Sequence, residues 1–200
     1  MKVIGLTGGI GAGKSTVSSY LKEKGYLILD ADAIAHEITA KGSPVLNQIA
    51  DTFGREMILS DGTLDRKRLA AVVFSDAEKK LQLEELTTKQ VVKIISDRVE
   101  ELRKKDEYDI IFVDAPLLFE AGVDAMTDLV WMVTADDEVR IARVMARDRA
   151  NREDVLRRIA NQMDNDEKIR RSQEVIDNSK GKDELYRLIE SLLTKYAESR

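Results

Sequence analysis

The sequence predicts an α/β fold in which a mainly parallel five-stranded sheet lies between layers of helices. Apolar runs alternate along the chain with stretches of helical periodicity, which is typical of parallel strands joined by crossover helices. The apolar character of the runs suits strands that are buried on both faces. The predicted strands are Lys2–Thr7, Tyr26–Asp30, Asp109–Asp114, Asp128–Thr134 and Glu174–Asp177.

The first predicted strand leads directly into a glycine-rich loop. Residues 8–15 read GGIGAGKS, which has the spacing G-x-x-x-x-G-K-S of a phosphate-binding loop that opens a helix. Glycines let the backbone curl so that its N–H groups point at a polyphosphate. Lys14 would reach the outer phosphates, Ser15 would bind Mg²⁺ through its hydroxyl, and the helix dipole would favour the negative charge. The sequence therefore predicts that the chain binds a nucleoside triphosphate.

Helices are predicted after the first, second and fourth strands and at the end of the chain. Their ranges are Lys14–Lys24, Ala31–Ala40 and Asp136–Arg147, and in the last helix Leu185, Leu188, Ile189, Leu192, Leu193 and Tyr196 recur at helical spacing. The interval from Pro44 to Lys105 contains no buried strand, and after a turn at Asp61-Gly62 we expect a helical stripe of Leu81, Val92, Ile95, Val99 and Leu102. This insertion, residues 44–105, is expected to cover an acceptor substrate, and the alternative is that it only extends the core.

Carboxylates follow the second and third strands, where an open α/β sheet binds its ligands. A carboxylate at Asp32 could accept the proton of an attacking hydroxyl or hold that hydroxyl in line with the γ-phosphate. Asp30 is expected to cap the following helix. Asp114 ends an apolar strand, as does the acid that orients Mg²⁺ in many phosphate-loop proteins. Pro116 predicts that the chain continues as a loop, residues 115–120.

Several arginines follow the fourth strand, namely Arg140, Arg143, Arg147, Arg149, Arg152, Arg157 and Arg158. For any single arginine we expect a solvated side chain paired with a nearby acid. At least one of them is expected to close over phosphate as part of a lid, which would also exclude water. His36 is expected to be exposed and structural, and Trp131 to lie in the core.

Composition fits a globular protein that binds small molecules. Of its 200 residues 43% are apolar and 34% charged, and there is no cysteine, which excludes disulfides, thiolate metal sites and a cysteine nucleophile. A net charge of −5 argues against a broad nucleic-acid interface, and no apolar run is long enough to span a membrane. We expect a cytoplasmic protein without nucleic acid or membrane as a partner, and the oligomeric state is left open.

Six motifs in a fixed order make the chain resemble the dephospho-coenzyme A kinase family. They are LTGGIGAGKST near the start, DADAIAH at 30–36, DGTLD at 61–65, PLLFE at 116–120, Arg147-Asp148 and VIDN at 175–178. This resemblance covers almost the whole chain. It implies transfer of the ATP γ-phosphate to the ribose 3′-hydroxyl of dephospho-coenzyme A, the last step of coenzyme A synthesis. It also implies a three-layer α/β/α P-loop kinase fold as one domain, residues 1–200, with a lid at about 147–165.

The resemblance implies a role for each motif residue. Asp32, Lys14 and Arg147 would be catalytic; Gly9, Gly11, Ala12, Gly13, Lys14, Ser15, Thr16 and Asn178 would bind ATP. Thr7, Asp32, Leu117, Leu118 and Phe119 would bind the acceptor, and Ser15 and Asp114 would bind Mg²⁺. In one departure, the family usually shows a His-Pro pair where this chain has Thr88-Lys89.

Three other functions remain as alternatives. Another small-molecule or nucleotide kinase would share the phosphate loop and the lid. A regulatory GTPase would need an N-K-x-D motif and a D-x-x-G motif, but the corresponding segments begin at Asp177 and Asp114 and match neither. An inactive nucleotide-binding scaffold is disfavoured because Lys14, Ser15 and Asp32 are all present.

Overall fold

The computed structural model describes residues 1–74 and 76–198 of the chain. Its strands are β1 (Lys2–Gly8), β2 (Leu27–Asp30), β3 (Ile110–Asp114), β4 (Leu129–Thr134) and β5 (Glu174–Asp177). Its α-helices are α1 (Lys14–Glu23), α2 (Ala31–Ile38), α3 (Pro44–Phe53), α4 (Arg66–Phe74), α5 (Ala77–Leu86), α6 (Thr88–Lys105), α7 (Asp137–Asp148), α8 (Arg152–Ala160), α9 (Asn165–Arg171) and α10 (Lys182–Glu198). Each predicted strand is confirmed with its ends within one residue.

The five strands form one sheet in the order β2-β3-β1-β4-β5. β1 runs parallel to both of its neighbours, with Leu6 opposite Asp114 on β3 and opposite Trp131 on β4. β4 and β5 are also parallel. The mainly parallel sheet with its helices confirms the predicted fold class. Because the strands share one direction, the ends of β1, β3 and β4 meet at one edge of the sheet.

The chain divides into two compact units. The first, residues 1–29 and 101–200, contains nearly all of the sheet together with α1 and α7–α10. One face of this sheet packs against α1 and α10 through a buried cluster that includes Phe112 and Trp131. Trp131 is fully buried, as predicted. On the other face Gly5 faces Leu118, from the loop after β3.

The second unit, residues 30–100, is one continuous and mainly helical segment. Its core includes Ile49, Met57, Leu69 and Val73. The Asp61-Gly62 turn is confirmed, and beside it Ile58 and Leu64 form an isolated antiparallel bridge. In the described part of the interval 44–105 there is no sheet strand, in agreement with the prediction.

The helical stripe predicted for this interval is only partly correct. Leu81 lies on α5 and is 62% exposed, whereas the other members lie on α6. On α6 the buried positions are Val91, Ile95 and Val99, which are spaced four residues apart and so share one face. Val92 is one residue out of that register and only half-buried.

The C-terminal segment forms α10, as predicted, and Leu185, Ile189 and Leu193 are its buried contribution to the core. Within residues 1–74 and 76–198, no helix has the length and the apolar content needed to cross a bilayer.

Candidate active site

The loop between β1 and α1 has the curled backbone that its sequence predicts. Gly11 and Gly13 have positive φ angles of 78° and 91°, in the left-handed region where a side chain is strained. Space is also lacking, because a Cβ at Gly11 would lie 2.4 Å from the carbonyl oxygen of Arg140, and one at Gly13 would lie 2.1 Å from Nδ2 of Asn178. Only glycine fits either position.

The N-terminus of α1 follows this loop and has no side-chain cap among the described residues. Gly13 is its N-cap, and the N–H of Thr16 donates to the Gly13 carbonyl over 2.9 Å. Ser15 is exposed on the first turn of α1, while Ala12, within the loop itself, is buried. Backbone N–H groups and the positive end of the helix dipole thus lie together, which suits an anion.

Lys14 forms an ion pair with Asp114, the last residue of β3. Both side chains are largely buried, with exposed fractions of 15% and 5%. β1 and β3 are parallel neighbours, so they end at the same edge of the sheet. The loop that follows β1 leads to Lys14, and the ion pair joins Lys14 to the end of β3. The residue predicted to contact phosphate and the residue predicted to orient Mg²⁺ therefore meet at this edge.

Two side chains hold the loop backbone from behind. Arg140 on α7 donates from Nε to the Ile10 carbonyl over 3.0 Å and from Nη1 to Asp137 over 2.9 Å, and Gly9 packs against its guanidinium. Asn178, next to the end of β5, donates from Nδ2 to the Ala12 carbonyl over 2.8 Å. Both side chains are buried, so these bonds are shielded from water.

The expectation of a solvated arginine is therefore wrong for Arg140. Arg140 shares the buried face of α7 with Ile141 and Val144, and its charge is neutralised by Asp137. The partner of Arg140, the Ile10 carbonyl, lies far away in the sequence, so the local sequence pattern could not predict this contact.

Gln162 adds a contact from the predicted lid segment, 147–165. Its Oε1 accepts a hydrogen bond from the N–H of Ile10 over 3.1 Å. Asn165, which starts α9, also lies near Gly9 and donates from Nδ2 to Thr134 over 3.0 Å. Sequence reasoning missed both residues, because a polar side chain in a loop carries no signal for a distant backbone partner.

Arg147, Arg152 and Arg158 are exposed and paired with acids, as predicted for single arginines. Arg143 differs from that prediction, because it is half-buried and its Nη2 donates to the Asn178 carbonyl over 2.9 Å. Arg147 donates from Nε to Asp148 over 2.6 Å, and Arg158 on α8 donates to the same carboxylate over 2.6 Å. These two hydrogen bonds hold the pKa of Asp148 far below its ordinary value, with that from Arg147 the larger cause. Arg152 forms a two-pronged ion pair with Glu138.

Residues 115–120 leave β3 as a loop at the same edge of the sheet, as predicted. Thr7, buried at the end of β1, donates from Oγ1 to the Pro116 carbonyl over 3.2 Å. Leu118 and Phe119 are buried, whereas Leu117 is 49% exposed. Of the three side chains predicted to position the acceptor, Leu117 is the exposed one.

The second unit carries the motif with the two aspartates. Asp30 accepts from the N–H of Ala33 over 3.0 Å, which confirms it as the N-cap of α2. Asp32 is exposed on the first turn of α2, where the helix dipole favours a carboxylate. His36 is exposed, as predicted, and its Nδ1 lies 3.2 Å from Arg66. Thr88-Lys89, the departure from the family pattern, begins α6.

Comparison with known proteins identifies the family. The family model described as dephospho-CoA kinase matches residues 2–184. The chain belongs to the dephospho-CoA kinase family. That family carries out the ATP-dependent phosphorylation of dephospho-CoA, the final step of coenzyme A synthesis. The chain is therefore a kinase, and the predicted resemblance is confirmed.

Individual relatives agree with this assignment. The dephospho-CoA kinase of Carboxydothermus hydrogenoformans is 42% identical over 90% of this chain and 86% of its own length. A solved structure of the protein TT1252 from Thermus thermophilus is 35% identical, with a TM-score of 0.81 over 97% of both chains. The dephospho-CoA kinase structure from Campylobacter jejuni is 27% identical, with a TM-score of 0.71 over 98% of this chain and 99% of that one.

Proposed function

We propose that this chain transfers the γ-phosphate of ATP to the ribose 3′-hydroxyl of dephospho-CoA, with residues 9–16 binding the phosphates and Asp32 acting on the hydroxyl. The observation that carries the proposal is the ion pair of Lys14 with Asp114 beside the uncapped N-terminus of α1. A cation for phosphate and a carboxylate for a metal ion are thus in contact at the edge of the sheet where ligands bind in this type of fold.

The phosphates of ATP would lie against the first turn of α1. Gly9, Gly11, Ala12 and Gly13 shape the loop, and the backbone from Lys14 to Thr16 supplies N–H groups at the positive end of the helix. The ammonium of Lys14 would turn from Asp114 to the β- and γ-phosphates and neutralise the charge that spreads over their oxygens. The buried contacts of Arg140 and Asn178 keep this backbone in place, so little ordering is needed when ATP binds.

Ser15 and Asp114 suit Mg²⁺ as a partner of ATP. A hydroxyl and a carboxylate are the hard oxygen donors that this ion prefers, and it is commonly held by one or two protein groups together with substrate phosphates. Ser15 is exposed on the first turn, and Asp114 already faces a cation, Lys14. When bound, the ion would neutralise charge on the β- and γ-phosphates.

Asp32 would orient the acceptor hydroxyl, and Thr7 and residues 117–119 would bind the acceptor. The exposed carboxylate of Asp32 can accept a hydrogen bond from the hydroxyl, which raises the nucleophilicity of its oxygen. The apolar side chain of Leu117 can contact the acceptor directly, while buried Leu118, Phe119 and Thr7 fix the loop that carries it.

Arg147 would act from the lid, residues 147–165. Its guanidinium is exposed and bound to Asp148, so contact with phosphate requires that it exchange one anionic partner for another. Arg158, which shares Asp148, would keep that carboxylate paired after the exchange. Asn178 would lie near the adenine, beside the loop backbone that it holds. We treat residues 1–200 as one kinase domain, with residues 44–105 as its acceptor-binding insertion.

Replacement of Asp32 by asparagine tests the catalytic part of the proposal. Asp32→Asn keeps the shape of the side chain and removes the proton acceptor, so we expect kcat to fall by about 10²–10⁴-fold. Nucleotide affinity, measured by calorimetry, should be unchanged. The matched control is Asp183→Asn, another exposed aspartate in the first turn of a helix, α10, which should retain full activity. Wild-type turnover by Asp32→Asn would refute the role of this residue.

An acceptor panel tests the substrate independently. ADP release should be stimulated by dephospho-CoA and not by nucleoside monophosphates or shikimate. Stimulation by one of the other acceptors alone would instead identify a different small-molecule kinase.

A further inference from the structure

Lys168 on α9 is a fully buried lysine that the chemistry described so far does not use. Its Nζ donates to the Pro116 carbonyl over 2.9 Å and forms an ion pair with Glu120 Oε1 at 2.8 Å. Lysine is rarely buried, because removing its ammonium from water costs several kcal/mol unless partners replace the water. Both of its partners belong to one short loop, residues 115–120.

The same two partners are also fixed by other groups. The Pro116 carbonyl accepts a second hydrogen bond from Thr7 at the end of β1, over 3.2 Å. Oε1 of Glu120 also accepts from the N–H of Met163, over 3.1 Å. Lys168 therefore binds both ends of the segment 116–120 to α9. Thr7 also holds the first end to β1, and Met163 holds the second end to the chain that leads out of α8.

A second residue of α9 contacts the same region. The guanidinium of Arg171 lies 4.4 Å from the centre of the Phe119 ring, and it also forms a 2.9 Å ion pair with Asp124. The contacts of Lys168 and Arg171 are on α9, the helix that directly follows the predicted lid. Leu117 is therefore exposed on a segment whose two ends are bound by Lys168 and whose Phe119 ring is contacted by Arg171.

We infer that Lys168 is a positioning residue for the acceptor substrate: through Pro116 and Glu120 it sets the conformation in which residues 117–119 meet dephospho-CoA. This inference rests on the proposed function, in which those residues contact the acceptor. A buried ion pair adds little net stability compared with a well-packed apolar residue, but it fixes geometry through directional bonds. The buried charge of Lys168 is therefore better explained by a role in setting the conformation of residues 116–120 than by a contribution to stability.

The test compares Lys168→Met with Lys180→Met. Methionine keeps most of the volume of lysine and removes the charge, leaving Glu120 and the Pro116 carbonyl without this partner. Because the segment that carries Leu117 loses a bond at each end and is no longer held in its position, we expect KM for dephospho-CoA to rise by about tenfold or more. KM for ATP should stay within about twofold of wild type, because these contacts do not touch residues 9–16. Lys180, an exposed lysine paired with Glu184 at the start of α10, should change neither constant.

A milder variant covers the case in which Lys168→Met does not fold. Glu120→Gln keeps an oxygen that can accept from Met163 and Lys168 but removes the charge, and we expect a smaller rise in the same KM. If acceptor KM is unchanged in a folded Lys168→Met protein, or in Glu120→Gln when the other does not fold, the inference is wrong. Equal increases in both KM values would also overturn it, since they would indicate a general structural role.

Leu117→Ala separates this inference from the proposed function. If Leu117→Ala leaves the acceptor KM unchanged, the proposed contact between this loop and dephospho-CoA fails. If Leu117→Ala raises that KM and Lys168→Met does not, only the positioning role of Lys168 fails.

Discussion

Single side chains from distant parts of the sequence hold the phosphate loop. Asn178 does so through a buried hydrogen bond from Nδ2 to the Ala12 carbonyl over 2.8 Å. Its backbone N–H donates to the carbonyl of Thr134, at the end of β4, also over 2.8 Å. Its carbonyl in turn accepts from Nη2 of Arg143 over 2.9 Å. The residue therefore joins the end of β5, the helix α7 and the loop, and its side chain is the part that a mutation can remove.

We predict that Asn178→Ala weakens both stability and nucleotide binding. The change leaves the Ala12 carbonyl without its partner, which costs about 1–3 kcal/mol of unfolding free energy. The loop backbone loses its support, so KM for ATP should rise. Denaturant unfolding and steady-state kinetics measure the two effects. Asn47→Ala, at an exposed position on α3, serves as the control. If the unfolding free energy and the KM for ATP of Asn178→Ala equal those of wild type, the loop keeps its conformation without this side chain.

At the level of single residues, the sequence identified the residues of the phosphate loop but not the distant side chains that contact it. The spacing of Gly13, Lys14 and Ser15 determines a local structure, so the loop could be predicted from neighbouring residues alone. Arg140, Gln162 and Lys168 act through backbone atoms far away in the sequence. Such contacts depend on the packing of α7 and α9, which no local pattern encodes.

At the level of elements, α7 and α8 are joined by two ion-pair clusters on the surface. Glu138 and Arg152 connect the starts of the two helices, and Asp148 binds Arg147 and Arg158 between them. The second cluster contains the arginine that we propose to contact phosphate. The strength of the ion pairs at Asp148 therefore affects both the contact between α7 and α8 and the ease with which Arg147 can leave Asp148 and bind phosphate.

We predict that Asp148→Asn lowers stability at neutral pH and that the difference from wild type becomes smaller as the pH falls below about 4. The pKa of Asp148 is depressed in the folded protein, chiefly by Arg147 and then by Arg158. Its stabilising effect is thus complete above the ordinary aspartate pKa of about 4 and is lost as the pH falls below it. Denaturant unfolding of both proteins between pH 7 and pH 3 measures the difference. A difference that stays constant down to pH 3 would contradict this origin.

The elements themselves were predictable where a single physical cause dominates. Strands buried on both faces are continuous apolar runs, and α2 begins where Asp30 can cap it. The boundary between α5 and α6 was not predicted, because the chain changes helix at Thr87 without a proline or glycine to mark the break. Leu81 was consequently assigned to the wrong helix.

At the level of the whole molecule, ligand binding and folding are thermodynamically linked. A ligand that binds only the folded chain stabilises it by about 2.7 kcal/mol at one hundred times its dissociation constant. Lys14 is expected to provide much of the affinity for ATP, and it also neutralises the buried Asp114. Its removal should therefore affect both the free and the bound protein.

We predict that Lys14→Met reduces the stabilisation produced by ATP. At the ATP concentration that gives wild type about 2.7 kcal/mol, a tenfold loss of affinity would leave about 1.4 kcal/mol. The ligand-free variant should also be less stable than wild type, because Asp114 loses its cation. Unfolding with and without ATP measures both quantities, and Lys180→Met should match wild type in each. Full stabilisation of Lys14→Met by ATP would exclude Lys14 from the nucleotide site.

The fold and the family were predictable over the whole chain because motif order and strand pattern agree from residue 2 to residue 178. The division into units at residues 30 and 100 was not, since it depends on which helices share a core. The acceptor-binding role of the interval 44–105 stays a prediction.

The central place of β1 in the sheet has a consequence for synthesis on the ribosome. β1 is translated before the other four strands, yet Lys2 pairs with Ile110 and Ile4 pairs with Leu129, so both neighbours of this strand are translated much later. Residues 30–100, by contrast, form one continuous unit that can gain its own core as soon as it leaves the exit tunnel. Since the loop also depends on Arg140 and Asn178, a nascent chain released before Asn178 would contain the glycine motif without the support that shapes it.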